Sequence, residues 1–184
     1  FDRVASAFVG QGGKGLNITL PFKGDAFRLA HQLTSRASVC EAVNTLTFKD
    51  GVIYGDNTDG VGLVRDIVEN LDMPIAGKRV LLLGAGGAVR GVLLPLLEEK
   101  PASLTVANRT VEKAQALASQ FAPYGAVRAV GYPDLMGEQF DIIINGTSTS
   151  LHDELPPIPH GVFAPNALAY DMVYSANLTP SLKR

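Results

Sequence analysis

Two kinds of hydrophobic pattern follow one another along this chain. In the first, Leu16 to Leu20 alternates apolar and polar residues with period two, as a half-buried strand does. Pro21 then opens a predicted helix, at the position where a missing N–H costs nothing, and Phe22 to Leu33 continues it through Phe27, Leu29, Ala30 and Leu33. Ala42 to Phe48 and Val52 to Tyr54 predict paired strands joined through Asp50-Gly51, a hairpin signal. Gly55 to Asp59 is a polar turn, and Gly60 to Leu71 reads as a helix. After Asp72 to Lys78, which contains Pro74 and Gly77, the pattern changes. Val80 to Leu83 is a run of apolar branched residues, as in a strand buried on both faces. A helix over Val89 to Glu99, a strand over Ser103 to Ala107 and a helix from Val111 follow. A weaker strand near Ala126 to Val130 and strands over Asp141 to Asn145 and Ala167 to Val173 complete the series. Such alternation predicts a parallel sheet covered on both faces, with ligands at the carboxyl ends of its strands. Asn145-Gly146-Thr147 and Met172-Val173-Tyr174 fall at that edge.

Between the first of these strands and its helix stand Gly84, Ala85, Gly86, Gly87 and Ala88. Glycines let a backbone approach a ligand closely, and the helix start offers unpaired N–H groups to a phosphate. The dinucleotide fingerprint G-x-G-x-x-G is matched at Gly84 and Gly86 but has Val89 at its third position. An ordinary tight turn explains one glycine comfortably and three poorly. Together these features predict an α/β protein with a Rossmann-like, doubly wound parallel sheet, preceded by part of a smaller α/β domain. The slot after the second strand, where an NAD-preferring site places a carboxylate for the ribose 2′-hydroxyl, holds Asn108 and Arg109. Thr110 and Lys113 follow. A guanidinium binds a 2′-phosphate through two N–H groups where a carboxylate repels it, so the spacing favours NADP. A solvated surface charge is the bland alternative for Arg109.

Composition narrows the class. The 184 residues are 46% hydrophobic and 18% charged with net charge −2, which suits one large or two small globular domains and leaves no broad basic surface for nucleic acid. The apolar stretch Val80 to Leu97 is no membrane span, because Arg90 at its middle costs about 2.5–3.5 kcal/mol on insertion scales. The single Cys40 has no disulfide partner in the chain and fits a reduced core thiol in a cytoplasmic protein.

Lys23 and Asp59 are the candidate reactive groups. Lys23 falls in the first turn after Pro21, where the helix dipole disfavours a cation; such a lysine can give up a proton and take it back, as reversible carbonyl reduction requires. Read plainly, it is a solvated lysine, and Asp59 within Asp56-Asn57-Thr58-Asp59 is a helix-capping carboxylate. Spacing alone does not bring the two together. Asn17, Thr19, Asn44 and Thr58 are polar residues at strand or turn ends, suited to a hydroxylated substrate or to local structure.

The ordered segments Gly15-Leu16-Asn17-Ile18-Thr19-Leu20-Pro21-Phe22-Lys23, Ala42-Val43-Asn44-Thr45, Gly55-Asp56-Asn57-Thr58-Asp59-Gly60, Gly84 to Ala88, Asn108-Arg109-Thr110 and Tyr170-Asp171-Met172-Val173-Tyr174 resemble those of the shikimate dehydrogenases. The resemblance implies reversible, NADPH-dependent reduction of 3-dehydroshikimate to shikimate in aromatic amino-acid biosynthesis. By the same resemblance Lys23 is the catalytic lysine, Asp59 its partner, and Thr19, Asn44 and Tyr174 are substrate-binding positions. Gly84 to Ala88 form the pyrophosphate loop, Asn108, Arg109, Thr110 and Lys113 the adenosine-phosphate clamp, and Thr147 and Met172 line the nicotinamide pocket. No metal is implied. Residues 1–60 are expected to form part of a substrate-binding, catalytic domain and 61–184 the NADP-binding domain. The family's serine pair for the substrate carboxylate would precede Phe1, and its C-terminal helices with a substrate-binding glutamine would follow Arg184, so the chain is expected to be a central piece. Gly146 stands where the family usually has Ala, a minor change on sequence grounds. A quinate or dual quinate/shikimate dehydrogenase using NAD or NADP, and a non-catalytic nucleotide-sensing module, are the rival readings. The oligomeric state is open between monomer and homodimer.

Overall fold

Two sheets organise the chain in the computed structural model, which describes residues 1–19, 21–147, 156–173, 179 and 182. The first has four strands in the order β1-β3-β4-β2: β1 (Gly15–Asn17), β2 (Gln32–Leu33), β3 (Thr45–Lys49) and β4 (Val52–Asp56). β3 pairs antiparallel with both β1 and β4, and β2 runs parallel to β4. The Asp50-Gly51 hairpin forms as expected, with φ of 52° and 75° at its two turn residues. The second sheet holds β5 (Arg79–Leu83), β6 (Ser103–Ala107), β7 (Arg128–Val130), β8 (Phe140–Asn145) and β9 (Phe163–Asp171), all parallel, in the order β7-β6-β5-β8-β9. The chain order reverses direction at β5. In parallel α/β sheets the crevice beyond such a reversal is where ligands sit.

The apolar run that predicted a doubly buried strand is just that. Val80 and Leu82 point into a core with α5 (Gly87–Glu98) and α6 (Val111–Phe121), built from Val89, Val92, Leu96, Leu117 and Phe121. Leu81 and Leu83 point the other way, onto Tyr132 and Leu135 of a single 3₁₀ turn and onto Ile158 and Val162. Among the described residues this second face is therefore covered by irregular chain. No described helix is long and apolar enough to cross a membrane.

Several boundaries differ from the sequence pattern. The helix expected over Phe22 to Leu33 is α2 (Lys23–Leu29) only. Ala30 turns extended (φ −67°, ψ 132°), His31 donates its N–H to the Ile53 carbonyl at 2.8 Å, and Gln32 and Leu33 become β2. Long-range pairing with β4 outweighs the local helical pattern there. The strand expected over Leu16 to Leu20 ends at Asn17, followed by a last bond from Ile18 N–H to the Asn44 carbonyl; Leu20 lies outside the described residues. The helix from Gly60 is α4 (Asp59–Arg65) and passes into a π-helical turn, Asp66–Asn70. β9 begins four residues before the predicted strand and ends at Asp171. Two helices went unpredicted, α1 (Asp2–Gly10), whose Phe1 ring stacks on Phe22, and α3 (Ser35–Cys40).

The two sheets meet where α4 crosses α5. A Cβ on Gly60 would lie 2.6 Å from the Gly91 carbonyl oxygen and 2.6 Å from Pro95 Cγ, so only glycine fits at that crossing. Arg90 to Glu41 (3.3 Å) and Gln120 Nε2 to the Val39 carbonyl (2.8 Å) tie α5 and α6 to the α3 segment.

Candidate active site

The candidate reactive pair comes together. Lys23 Nζ lies 2.5 Å from Asp59 Oδ2, with 17% and 24% of the two side chains exposed. Each is held from behind. The carbonyl of Lys23, at the start of α2, accepts the Val43 N–H at 3.0 Å, which anchors it to the strand-bearing segment. Asp59, at the start of α4, receives Asn44 Nδ2 on Oδ1 at 2.7 Å, and its own N–H donates to Asn57 Oδ1 at 3.1 Å. Both carboxylate oxygens of Asp59 are thus engaged, one by an ammonium and one by an amide. Asn44 also accepts the Thr58 N–H at 3.0 Å and donates to Thr58 Oγ1 at 3.0 Å. A partly buried pair of this kind is screened less by water than a surface ion pair.

Asn57 is the group that reasoning from the sequence undervalued. It is 2% exposed; its Nδ2 donates to the Ala42 carbonyl at 3.2 Å, and its amide lies against Gly91 of α5. Gly91 is four residues beyond Gly87, about 6 Å along the helix. Asn57 and Gly60, on either side of Asp59 in the chain, therefore bring it up to α5 at its second turn. The motif around Asn57 was visible, but its reach to Ala42 and α5 depends on the tertiary fold. A second unforeseen network brings Arg36 Nε (2.7 Å) and Thr34 Oγ1 (2.7 Å) onto Asp56 Oδ1 at the end of β4, with Arg36 Nη2 2.5 Å from Asp56 Oδ2. The Arg36 guanidinium bonded to it holds the Asp56 carboxyl below the usual carboxylate range.

Thr19 is exposed, with its carbonyl accepting from Phe22 N–H, and its side chain takes no part in this network. Asn17 is exposed in β1 and pairs with Thr45. Cys40 is buried, its sulfur directed at the Ala42 carbonyl (3.3 Å), and burial pushes its thiol pKa up, which suits core packing and not a nucleophile.

The glycine turn closes β5. Gly84 has φ +103°, a conformation that favours glycine, and its N–H donates to the Ala107 carbonyl at 2.8 Å. A methyl group added at Gly86 or Gly87 would meet nothing within 4 Å. Gly86 is the N-cap of α5 with no side chain on the helix N–H groups, so the turn is open and lined by backbone donors, the chemistry a pyrophosphate requires. At the end of β6, Asn108 Nδ2 donates to the Thr110 carbonyl at 2.8 Å and shapes the turn into α6. Arg109, Thr110 and Lys113 are exposed, and neither Arg109 nor Lys113 forms an ion pair with another described residue. Two available cations beside an open phosphate turn fit the additional phosphate of NADP.

At the ends of β8 and β9, Asn145, Gly146, Thr147, Asp171 and Met172 are neighbours. Gly146 donates its N–H to the Leu83 carbonyl at 2.9 Å, and Met172 to the Asn145 carbonyl at 2.9 Å. Gly146 is no neutral exchange for Ala. A Cβ there would lie 2.5 Å from Val89 Cγ2 and 3.4 Å from Met172 Sδ, so the valine at the third fingerprint position occupies the space that the missing methyl leaves. Tyr174 lies outside the described residues.

Comparison with known proteins agrees with this layout. Residues 1–46 match the family model described as the shikimate dehydrogenase substrate binding domain, and residues 63–152 match shikimate / quinate 5-dehydrogenase. The Chromobacterium violaceum protein named shikimate dehydrogenase (NADP(+)) is 73% identical over all 184 residues, which cover 67% of its length. Among solved structures, shikimate dehydrogenase from Aquifex aeolicus superposes with a TM-score of 0.86 at 32% identity, over 100% of this chain and 66% of that one. The Thermus thermophilus shikimate 5-dehydrogenase in complex with NADP(H) and shikimate gives 0.80 at 31% identity, over 93% of this chain and 62% of that one. The chain thus spans about two thirds of the length of the relatives it matches.

Proposed function

The chain belongs to the shikimate dehydrogenase family, and from that membership we propose that its protein reduces 3-dehydroshikimate reversibly to shikimate with NADPH, within aromatic amino-acid biosynthesis. The observation that carries the reading is the contact of Lys23 with Asp59, whose chain neighbours Asn57 and Gly60 pack on Gly91 of α5. NADPH, when bound, supplies a hydride to the substrate carbonyl carbon. Lys23 Nζ stands ready to give its proton to the oxygen on which negative charge develops, and to take it back in the reverse direction. Asp59 holds the ammonium in place, and Asn44 fixes the orientation of Asp59 through its other oxygen. In this reading Thr19, Asn44 and Tyr174 contact the substrate. The turn Gly84, Ala85, Gly86, Gly87 and Ala88 holds the pyrophosphate, and Asn108, Arg109, Thr110 and Lys113 hold the adenosine phosphate. Thr147 and Met172 line the nicotinamide side. Residues 1–60 serve the substrate and 61–184 the coenzyme. The lone buried thiol and NADPH chemistry suit a reducing cytoplasm.

The test is absorbance at the NADPH band in the full-length protein. Oxidation that requires added 3-dehydroshikimate, faster with NADPH than with NADH, is the expected result. NADPH binding without turnover overturns the reading in favour of a nucleotide-sensing module, and faster reverse reaction with quinate than with shikimate moves the substrate to quinate.

A further inference from the structure

Asn145 is 2% exposed and stands at the end of β8, between the glycine turn that follows β5 and the Met172 segment that follows β9. Its two amide atoms serve two different loops. Oδ1 accepts from Thr147 N–H at 3.1 Å and from Thr147 Oγ1 at 2.6 Å. Nδ2 donates to Asp171 Oδ2 at 3.3 Å. Asp171 in turn accepts the Val173 N–H at 3.0 Å and the Thr179 hydroxyl at 2.6 Å, so it fixes the chain on either side of Met172.

We propose that Asn145 is a positioning residue, setting the spacing of Thr147 and Met172 across the coenzyme crevice by donating to one loop while accepting from the other. The inference rests on the coenzyme site proposed above. The requirement is chemical as well as steric, because the position needs a donor toward a carboxylate and an acceptor toward an N–H and an O–H. Aspartate has the same shape but keeps only the acceptor when ionised, and it then faces Asp171. When protonated it regains the donor. Two carboxyl groups at this distance share one proton, so Asn145→Asp makes the joint depend on the titration of a carboxyl pair. Among the described residues, several charged groups on the flanking elements are already engaged. Arg79 on β5 and Asp141 on β8 bond each other at the opposite end of the sheet, Asp66 accepts the Tyr170 hydroxyl, and Arg90 on α5 pairs with Glu41.

The experiment compares the parent, Asn145→Asp, Asp171→Asn and the double variant in the full-length protein, by NADPH fluorescence titration and thermal melting between about pH 5.5 and 8.5. Asn145→Asp is expected to bind NADPH about tenfold more weakly than the parent at high pH and within about threefold at low pH, with a Tm gap that widens as the pH rises. Adding Asp171→Asn removes the facing carboxylate and is expected to flatten both dependences. A gap between Asn145→Asp and the parent that stays constant with pH, or that the second substitution leaves unchanged, overturns the proposal. If Asn145→Asp alone does not fold, a folded double variant supports the proposal and an unfolded one overturns it. Failure of the parent itself to bind NADPH overturns the coenzyme reading and the role of Asn145 with it, and the melting series then shows whether the contact with Asp171 stands apart from that failure.

Discussion

The ammonium of Lys23 and the carboxylate of Asp59 lie 2.5 Å apart, although 36 positions separate them in the chain. Removing the first should cost chemistry more than binding. Lys23→Ala is expected to lower kcat by about a hundredfold to ten-thousandfold, the range of a positioned general acid, while the affinity for NADPH stays within about threefold. Steady-state kinetics paired with a fluorescence titration measures both. Turnover within a few-fold of the parent would remove Lys23 from the reaction.

On the proposed function, Arg109 is expected to set the choice of coenzyme through the extra phosphate. Arg109→Ala is expected to raise the KM for NADPH by about tenfold to a hundredfold, the worth of one or two charge-assisted hydrogen bonds, and to leave that for NADH nearly unchanged. The ratio of kcat/KM for the two coenzymes is the measurement. An equal loss with both would mean that the guanidinium only shapes the β6–α6 turn.

Gly146 and Val89 are expected to be coupled, because a methyl on the first would collide with the second. Gly146→Ala alone should destabilise by about 1–3 kcal/mol, the usual cost of overpacking. Val89→Ala in the same chain should recover much of that loss. A double-mutant cycle on urea midpoints reads the coupling, and simple additivity would refute it.

Asp141, bonded by the Arg79 guanidinium and by its backbone N–H, has its pKa lowered from 3.8 to about 2. The folded state therefore holds on to its carboxylate charge more strongly than the unfolded chain does. The resulting stabilisation is complete above the unfolded value and is lost as the pH falls through the folded one. The Tm difference between the parent and Asp141→Asn should be constant near neutrality and close between about pH 4 and pH 2. A difference unchanged across that window would show that the pair contributes nothing through its charge.

The parallel sheet was legible because its strands are short apolar runs buried on both faces, and β6 matches its predicted bounds. The glycine turn after β5 and the place of Arg109 after β6 were legible because they are local features of the chain. Lys23 and Asp59 stood out as residues, but only the family resemblance paired them, since period and spacing carry no information about contacts between α2 and α4. The end of α2 at Leu29 was hidden for the same reason: β2 exists only because β4 is there to pair with it. Asn145 was placed at the correct edge, yet its bridging of two loops depends on Asp171, which a different strand delivers.

Two glycines near the start of α4 differ sharply in their surroundings. Gly60 abuts the main chain of α5, whereas a methyl at Gly62 would meet nothing within 4 Å. At the crossing, backbone rests on backbone, leaving no rotamer through which a replacement side chain could be accommodated. Saturation libraries across this stretch should therefore return almost only the parental codon at the first site and a broad spectrum at the second, and designers seeking to re-aim the two halves of the molecule would have to recut the helices themselves.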